Sequence, residues 1–158
     1  MDTWLSIRLL ASTPAKLNTL AAPLTEQQLR WRPSAGEWSI KEVLCHLRDT
    51  CRVHTERMRR VAGEDNPTLP AWDEQAAARD HRYQDGVTEV ILPAYTEARL
   101  SMVELLSALP PEALLRPRTH AETGRLTLES LVAGTAGHDR DHLAQLRQLR
   151  AGAITAGV

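Results

Sequence analysis

The chain contains 158 residues, and its 19 Lys and Arg nearly balance its 20 Asp and Glu, which leaves a formal net charge of -1 at pH 7. This length predicts one domain over residues 1–158 with a sizeable core. The balanced charge, with four Trp, two Tyr and no Phe, argues against nucleic acid or an anionic membrane as a partner. Asp2 stands where a secretory signal carries positive charge, and the first apolar stretch is too short to cross a bilayer, so we expect a cytoplasmic protein.

The first half of the chain shows helical periodicity with recognisable start signals. Thr13 followed by Pro14 is typical of an N-cap and first helical residue, so the pattern predicts a short helix over 3–11 and a second helix over 14–22. Ser39 and Glu42 have the spacing of a capping box. An apolar stripe follows them at steps of three and four, and it predicts a long helix over 40–62.

The second half continues the helical pattern after a break at "GEDNPTLPAW". A polar helix is predicted over 73–84 and a longer one over 87–108, in which Pro93 must kink or restart the chain. Thr127 predicts the N-cap of the last helix, which we expect to end near residues 150–152. Four principal amphipathic helices, with no alternating stretch to compete, predict an all-α fold and an antiparallel four-helix bundle.

The two cysteines, Cys45 and Cys51, fall in one predicted helix. Six residues separate them by about 9 Å of helical rise, so they cannot form a disulfide with each other. A small buried thiol is the expected role of Cys51. No CxxC motif occurs, which excludes the zinc-finger and thioredoxin interpretations.

His138 and His142 interrupt the apolar stripe of the last helix. Their spacing of four residues places both rings on the same face as the surrounding leucines, so we expect them to face inward. Two imidazoles one turn apart suit one metal ion, and buried histidines bonded to neighbouring polar groups fit the same pattern. The residues between them include no glutamate, so the HExxH protease mechanism is not supported.

The remaining histidines differ in their positions. His46 lies on the flank of the apolar stripe of helix 40–62, where a bundle can bring it to the other two. His54 is two turns further along, about 12 Å away, and we expect it to be a structural core residue. His81 in a polar segment and His120 in a loop are expected to have surface roles.

Four segments resemble the DinB-like, or YfiT-like, family of damage-inducible proteins, which is unrelated to the DNA polymerase of similar name. They are "GEWSIKEVLCHLRDT", "NPTLPAWDE", "THAETGRLTLESL" and "GHDRDHLAQL", and together the resemblance extends over nearly the whole chain. It implies a four-helix bundle with up-down-down-up connectivity. It also implies a divalent metal ion held by His46, His138 and His142.

The resemblance implies two kinds of enzyme and identifies no catalytic residue. One is a hydrolase that uses metal-bound water, and the other is a thiol-dependent S-transferase that takes a low-molecular-weight thiol and a small-molecule substrate. The alternative is a non-catalytic metal-binding or stress-responsive interaction module. Zinc or nickel is expected first, and iron or manganese also accepts imidazole. Relatives of this kind lead us to expect a homodimer.

Three aspartates near these histidines are candidates for orienting the metal ligands. Asp139 lies close to the centre of the apolar face, so its carboxylate should be partly buried and paired with Arg57 or Arg99. The alternative is a rotation of the helix that leaves Asp139 at the solvent edge. Asp49 and Asp141 face further outward, and we expect them to be solvated or to orient the ligands.

Three aromatic residues are candidates for lining an opening to the metal site. They are Trp38, Trp72 and Tyr83. The two tryptophans equally fit packing roles at helix starts.

Overall fold

The computed structural model describes residues 3–120 and 124–158. Its helices are α1 (Thr3–Ala21), α2 (Glu26–Arg30), α3 (Ile40–Gly63), α4 (Glu74–Asp80), α5 (Thr88–Ala108) and α6 (Leu128–Thr155), with short 3-10 turns at Tyr83–Asp85 and Pro111–Leu115. Its strands are β1 (Thr68–Leu69), β2 (Pro117–His120) and β3 (Gly124–Thr127). The four long helices α1, α3, α5 and α6 form the predicted bundle.

The contacts between helices establish their directions. Thr3 bonds Glu129 and Thr13 bonds Asp139, so α1 and α6 are parallel. His46 contacts His138 and His142 near one end of α3, whereas His54, further along, bonds the earlier Thr135, so α3 and α6 are antiparallel.

Helices α3 and α5 are parallel, because Cys45 lies beside Ile91 and Cys51, further along, lies beside Arg99. The bundle therefore has the expected up-down-down-up connectivity. Each long helix packs on two others, in the order α1, α6, α3, α5 around the bundle. This order leaves α5 and α6 facing each other across a diagonal.

The first helix differs from the prediction of two helices over 3–11 and 14–22. It runs without interruption from Thr3 to Ala21 with Pro14 inside it. Pro14 removes the N–H that would donate to the carbonyl of Leu10, and the Ser12 hydroxyl donates to the carbonyl of Leu9 in the same turn. Such side-chain bonds to the preceding turn let a helix accommodate a local bend, so a Thr-Pro pair did not mark a helix start here.

The start of α3 is fixed by the predicted capping box. The Ser39 hydroxyl accepts from the backbone N–H of Glu42, and the Glu42 carboxylate accepts from the backbone N–H of Ser39. Glu42 also receives hydrogen bonds from the Arg32 guanidinium. The Ser39 hydroxyl in turn donates to Gln84, which ties this helix end to the segment before α5.

The connection between α3 and α5 contains elements that the sequence only partly predicted. The polar helix expected over 73–84 is shorter, namely α4, and Asp73 caps it by accepting a hydrogen bond from the N–H of Ala76.

The three short strands form one small sheet. β1 pairs in parallel with β2, which pairs antiparallel with β3. These strands have two to four residues, too few for an alternating pattern to be recognisable in the sequence.

The last helix starts at its predicted N-cap, Thr127, and ends at Thr155, three to five residues beyond the expected position. Gly152, expected to end it, lies inside α6 against the ring of Trp31. A Cβ atom at position 152 would lie 2.7 Å from Cη2 of that ring. The glycine therefore permits a close contact instead of terminating the helix.

One cluster of buried apolar residues joins the four long helices. The two cysteines are buried within it and unpaired, which confirms that they form no disulfide with each other and that Cys51 is buried, whereas the burial of Cys45 was not predicted. Within residues 3–120 and 124–158, no helix combines the length and the apolar character needed to span a bilayer.

The capping box of α3 generates a prediction about stability. Replacing the buried Ser39 by alanine should lower the free energy of unfolding by about 1–2 kcal/mol, because an orphan N–H at the helix start loses its acceptor. Urea denaturation measures this change. The control Ser34→Ala, in an exposed loop, should change stability by less than about 0.5 kcal/mol. Equal midpoints for the two variants would contradict the role given to the cap.

Candidate metal centre

Three histidine side chains converge between α3 and α6. Nε2 of His46 lies 2.9 Å from Nε2 of His138, and Nε2 of His142 lies 3.1 Å from the same atom. His46 is buried, and the other two rings are half-buried. These are the three residues that the resemblance assigned to a metal ion, and the fold brings all of them to one point.

Hydrogen bonding alone cannot satisfy this arrangement. An imidazole nitrogen carries either one in-plane proton or one lone pair, so Nε2 of His138 cannot make linear hydrogen bonds to both neighbours. A cation between the rings would accept a lone pair from each Nε2, and three neutral imidazoles are a usual ligand set for zinc and related divalent ions. The donor set therefore fits a divalent metal ion.

The surroundings of His46 and His138 keep these two rings neutral, which is the protonation state that binds a metal ion. Burial, with smaller contributions from the neighbouring rings, lowers the pKa of His46 from 6.5 to about 3. Burial followed by the proximity of His142 lowers the pKa of His138 to about 4. At neutral pH both rings are therefore uncharged and have a lone pair available for a metal ion.

Two residues of α6 fix how these rings are presented. Gln145 Oε1 lies 2.7 Å from Nδ1 of His142. It accepts a hydrogen bond from Nδ1–H, which leaves the lone pair of that ring on Nε2, directed into the cluster. Asp139 follows His138 directly and is buried. Its burial confirms the position expected from the helical periodicity.

The Asp139 carboxylate is bonded on both oxygens. Nη2 of Arg99 donates to Oδ1 at 2.9 Å, while Thr13 and Tyr95 donate to Oδ2 at 2.8 and 3.3 Å. Arg99 is therefore the partner, and Arg57 instead donates to the backbone carbonyl of Pro70. The guanidinium reaches only one oxygen, because the two hydroxyl groups occupy the other.

Of the two roles expected for Asp49, solvated or orienting, the solvated one is wrong. Asp49 is buried and accepts hydrogen bonds from Tyr83 Oη at 2.7 Å and Arg48 Nε at 2.7 Å, with His81 Nδ1 at 3.0 Å. Burial alone would raise its pKa, but these bonds hold the pKa below its usual value. Asp49 thus attaches α3 to the segment before α5. Asp141 is exposed beside Arg140, as expected for a solvated group.

Neither His54 nor His81 joins the point where the three Nε2 atoms meet, although the ring centroid of His54 lies 6.1 Å from that of His138. Nδ1 of His54 lies 2.9 Å from the Thr135 hydroxyl, and burial lowers the pKa of His54 to about 3, which agrees with a structural role in the core. His81 is largely exposed and bonds Asp49. The side chain of His120 lies outside the described part of the chain.

Aromatic rings surround the buried side of the cluster. Trp72 stacks on His46 at 5.9 Å between ring centroids, and Trp38 is tilted against the same ring at 5.0 Å. Tyr83 does not join them, because its hydroxyl is directed to Asp49. The two tryptophans shield His46 from water on the side away from α6.

A cavity of about 560 Å³ opens beside the three histidines, a size typical of small-molecule sites. Its lining comes from the connection before α3, the start of α4, and α6: Trp31, Pro33, Gly36, Glu37, Trp38, Glu74, Gln75, His142, Gln145, Gln148 and Leu149. His142 is thus the histidine that faces the cavity.

Glu74 is the functional candidate that the sequence did not reveal. Its Oε2 lies 3.8 Å from Nε2 of His46, and its side chain is half exposed at the edge of the cavity. Asp73 caps α4 and so fixes the residue that follows it. The only sequence signal was an Asp-Glu pair after Trp72, and such a pair is common wherever a helix begins.

The buried Asp139 network generates a prediction about stability and metal binding. Asp139→Asn should reduce the free energy of unfolding by about 3 kcal/mol or more, because Arg99 remains buried without a countercharge. Zinc affinity should fall about tenfold as the ligand-bearing turn loses its anchor. Urea denaturation and zinc titration measure both effects. Asp141→Asn is the exposed control, and the same behaviour in both variants would refute the assigned role.

The lowered histidine pKa values generate a prediction about pH. The unfolded chain binds protons near pH 6.5, whereas folded His46 and His138 bind them only near pH 3 and 4. Stability of the metal-free protein should therefore decrease as the pH falls below 6.5. Denaturation midpoints measured in a chelating buffer down to about pH 5 test this, above the range where most carboxylates titrate. Midpoints that stay constant over this interval would contradict it.

Comparison with known proteins agrees with the fold and with the family that the sequence resembles. The model of the DinB superfamily matches residues 9–146. A Bacillus cereus protein named "Putative metal-dependent hydrolase" is 28% identical over 152 residues, which cover 95% of this chain and 85% of the relative. A protein of Oceanobacillus iheyensis with the same description is 26% identical over 136 residues, or 86% of this chain and 78% of its own length.

Two solved structures share the fold. YfiT from Bacillus subtilis, described as "a probable metal-dependent hydrolase with an unusual four-helix bundle topology", superposes with a TM-score of 0.87 at 24% identity, covering 94% of this chain and 85% of YfiT. The DinB-like protein YjoA of the same organism gives 0.65 at 14% identity, covering 94% and 91%. Since the family model spans most of the chain, including all three converging histidines, this protein belongs to the DinB superfamily.

Proposed function

We propose that this protein is a metal-dependent hydrolase whose ligands are His46, His138 and His142. The observation that carries the proposal is the convergence of three Nε2 atoms, which hydrogen bonding cannot satisfy, beside a cavity large enough for a small molecule. The names of the curated relatives, at 26–28% identity, support the same reaction class.

A bound divalent ion would supply a Lewis acid that polarises a substrate carbonyl and lowers the pKa of water. The chain supplies the positioning. Gln145 holds His142 with its Nε2 lone pair directed inward, and Trp72 and Trp38 exclude water from His46. Glu74 provides a carboxylate at the cavity edge, within reach of a proton that leaves the reacting centre.

Zinc and nickel are the first candidates for the ion, and zinc is the practical probe because it is not redox-active. The thiol-dependent S-transferase and the non-catalytic metal-binding module stay as alternative predictions. They predict, respectively, turnover only with an added thiol and no turnover. The homodimer also stays a prediction, and light scattering at micromolar concentration tests it by a mass of about twice the chain's 17.6 kDa.

A ligand variant tests the proposal directly. His142→Ala should weaken zinc binding by more than about 100-fold, because even residues that only orient a ligand account for about 10–100-fold. Elemental analysis after gel filtration and zinc titration measure the change. The same variant should lose the zinc-dependent hydrolysis of para-nitrophenyl acetate that we expect of the parent protein.

His81→Ala is the matched control, since His81 is an exposed histidine outside the cluster. It should retain the zinc content of the parent protein. Equal zinc content in the two variants would contradict the proposed ligand set. A parent protein that binds zinc but shows no hydrolysis of any tested ester would favour the non-catalytic module.

A further inference from the structure

The cavity beside the histidines has an unbalanced set of polar groups. Two carboxylates, Glu37 and Glu74, line it together with three glutamine amides, and none of its lining residues is Lys or Arg. The Arg32 guanidinium, from the same connection as Trp31, is bonded to Glu42. Among the described residues, the neutral amides of the cavity can form hydrogen bonds with a ligand. Its two carboxylates attract only positively charged groups.

A divalent ion would not reverse this balance. Three neutral imidazoles leave its charge of about +2 unchanged, and the two carboxylates of Glu37 and Glu74 offset that charge. Sites that select phosphate or carboxylate groups have guanidinium or ammonium groups, or helix N-termini, in excess of acids. This cavity lacks such an excess, so an anionic substrate would meet no net attraction there and would lie close to two carboxylates.

Two tryptophans contribute to the apolar part of the cavity lining. Trp31 and Trp38 contribute two indole rings to the walls. The position of Trp31 is set by Gly152, because a side chain there would collide with the indole. Indole faces favour flat apolar groups and cations, and a cation is the charge that Glu37 and Glu74 also favour.

We propose that the cavity binds uncharged or positively charged carboxylic esters or amides that carry a flat apolar group, and that it discriminates against anions, phosphate esters included. This substrate class rests on the proposed hydrolase function. In the reaction, the oxygen of water joins the carbonyl carbon and the bond from that carbon to the alcohol oxygen or amine nitrogen breaks. One water proton goes to the leaving group, and the acid product releases the other to solvent.

Three probes of nearly equal shape test the binding preference. Benzamidine is a cation, benzamide is neutral and benzoate is an anion, and all three have the same flat ring. Calorimetric titration of the metal-free protein should give affinities in that order, with benzamidine about tenfold tighter than benzoate. Metal-free protein is used because benzoate can ligate a metal ion directly.

Variants of residues that line the cavity test whether the charge preference arises there. Glu37→Gln should reduce the ratio of benzamidine to benzoate affinity by several-fold, and Gln148→Lys should reverse the order. Glu104→Gln, an exposed change on α5 away from the cavity, is the control and should keep the parent ratio. Benzoate binding most tightly, or a ratio unaffected by Glu37→Gln and Gln148→Lys, would overturn the proposal.

Zinc content and turnover, measured on the same samples, separate this inference from the proposed function. Zinc-dependent hydrolysis of para-nitrophenyl acetate without hydrolysis of para-nitrophenyl phosphate is the expected result. Zinc-loaded protein that hydrolyses the phosphate faster would overturn the substrate class and leave the metal-dependent hydrolase intact. Protein that prefers benzamidine but retains no zinc would overturn the hydrolase and leave the binding preference of the cavity intact.

Discussion

The buried carboxylate of Asp139 is the interaction on which the geometry of the histidine cluster depends. It lies on α6 between His138 and His142 in sequence, and it is bonded by Arg99 from α5 and Thr13 from α1. Because α5 and α6 face each other across the bundle diagonal, long side chains are needed to span the gap, and Arg99 and Tyr95 of α5 both reach the carboxylate. Satisfying this one carboxylate therefore sets the rotation and height of α6 relative to two other helices, and α6 carries two of the three converging rings. A buried acid of this kind gives little net stability but fixes one arrangement of helices over others.

Short-range patterns predicted most of the fold and the shared inward face of His138 and His142, whereas the family resemblance added His46 to this pair. The capping boxes at Ser39 and Thr127 define where α3 and α6 begin, and the four-residue spacing of His138 and His142 fixes their shared face. The burial of Asp139 followed from the same periodicity. These features depend on neighbours within one or two turns, so one sequence contains all the information they need.

The features that the sequence did not predict depend on contacts between distant segments. The helical periodicity places Asp49 on the outward side of α3. However, Tyr83 and His81, more than thirty residues later in the connection to α5, form hydrogen bonds with it and cover it. Glu74 acquires its significance only because α4 lies beside His46. The uninterrupted α1 is a different case, since the local Thr-Pro signal was present but the helix continues through it, with the Ser12 hydroxyl bonded to the preceding turn.

The helices that carry the histidines and the connections that line the cavity are under different structural constraints. The histidines stand on helices whose positions are coupled through the core, so a change there disturbs packing throughout the bundle. The walls of the cavity come largely from the connection between α3 and α5 and from the connection before α3, which contribute Glu74, Gln75, Trp31 and Trp38. Substitutions in these connections alter what fits beside the histidines while the helices keep their places. Such a division allows the sequence around the histidines to change extensively while the helices that position them stay the same.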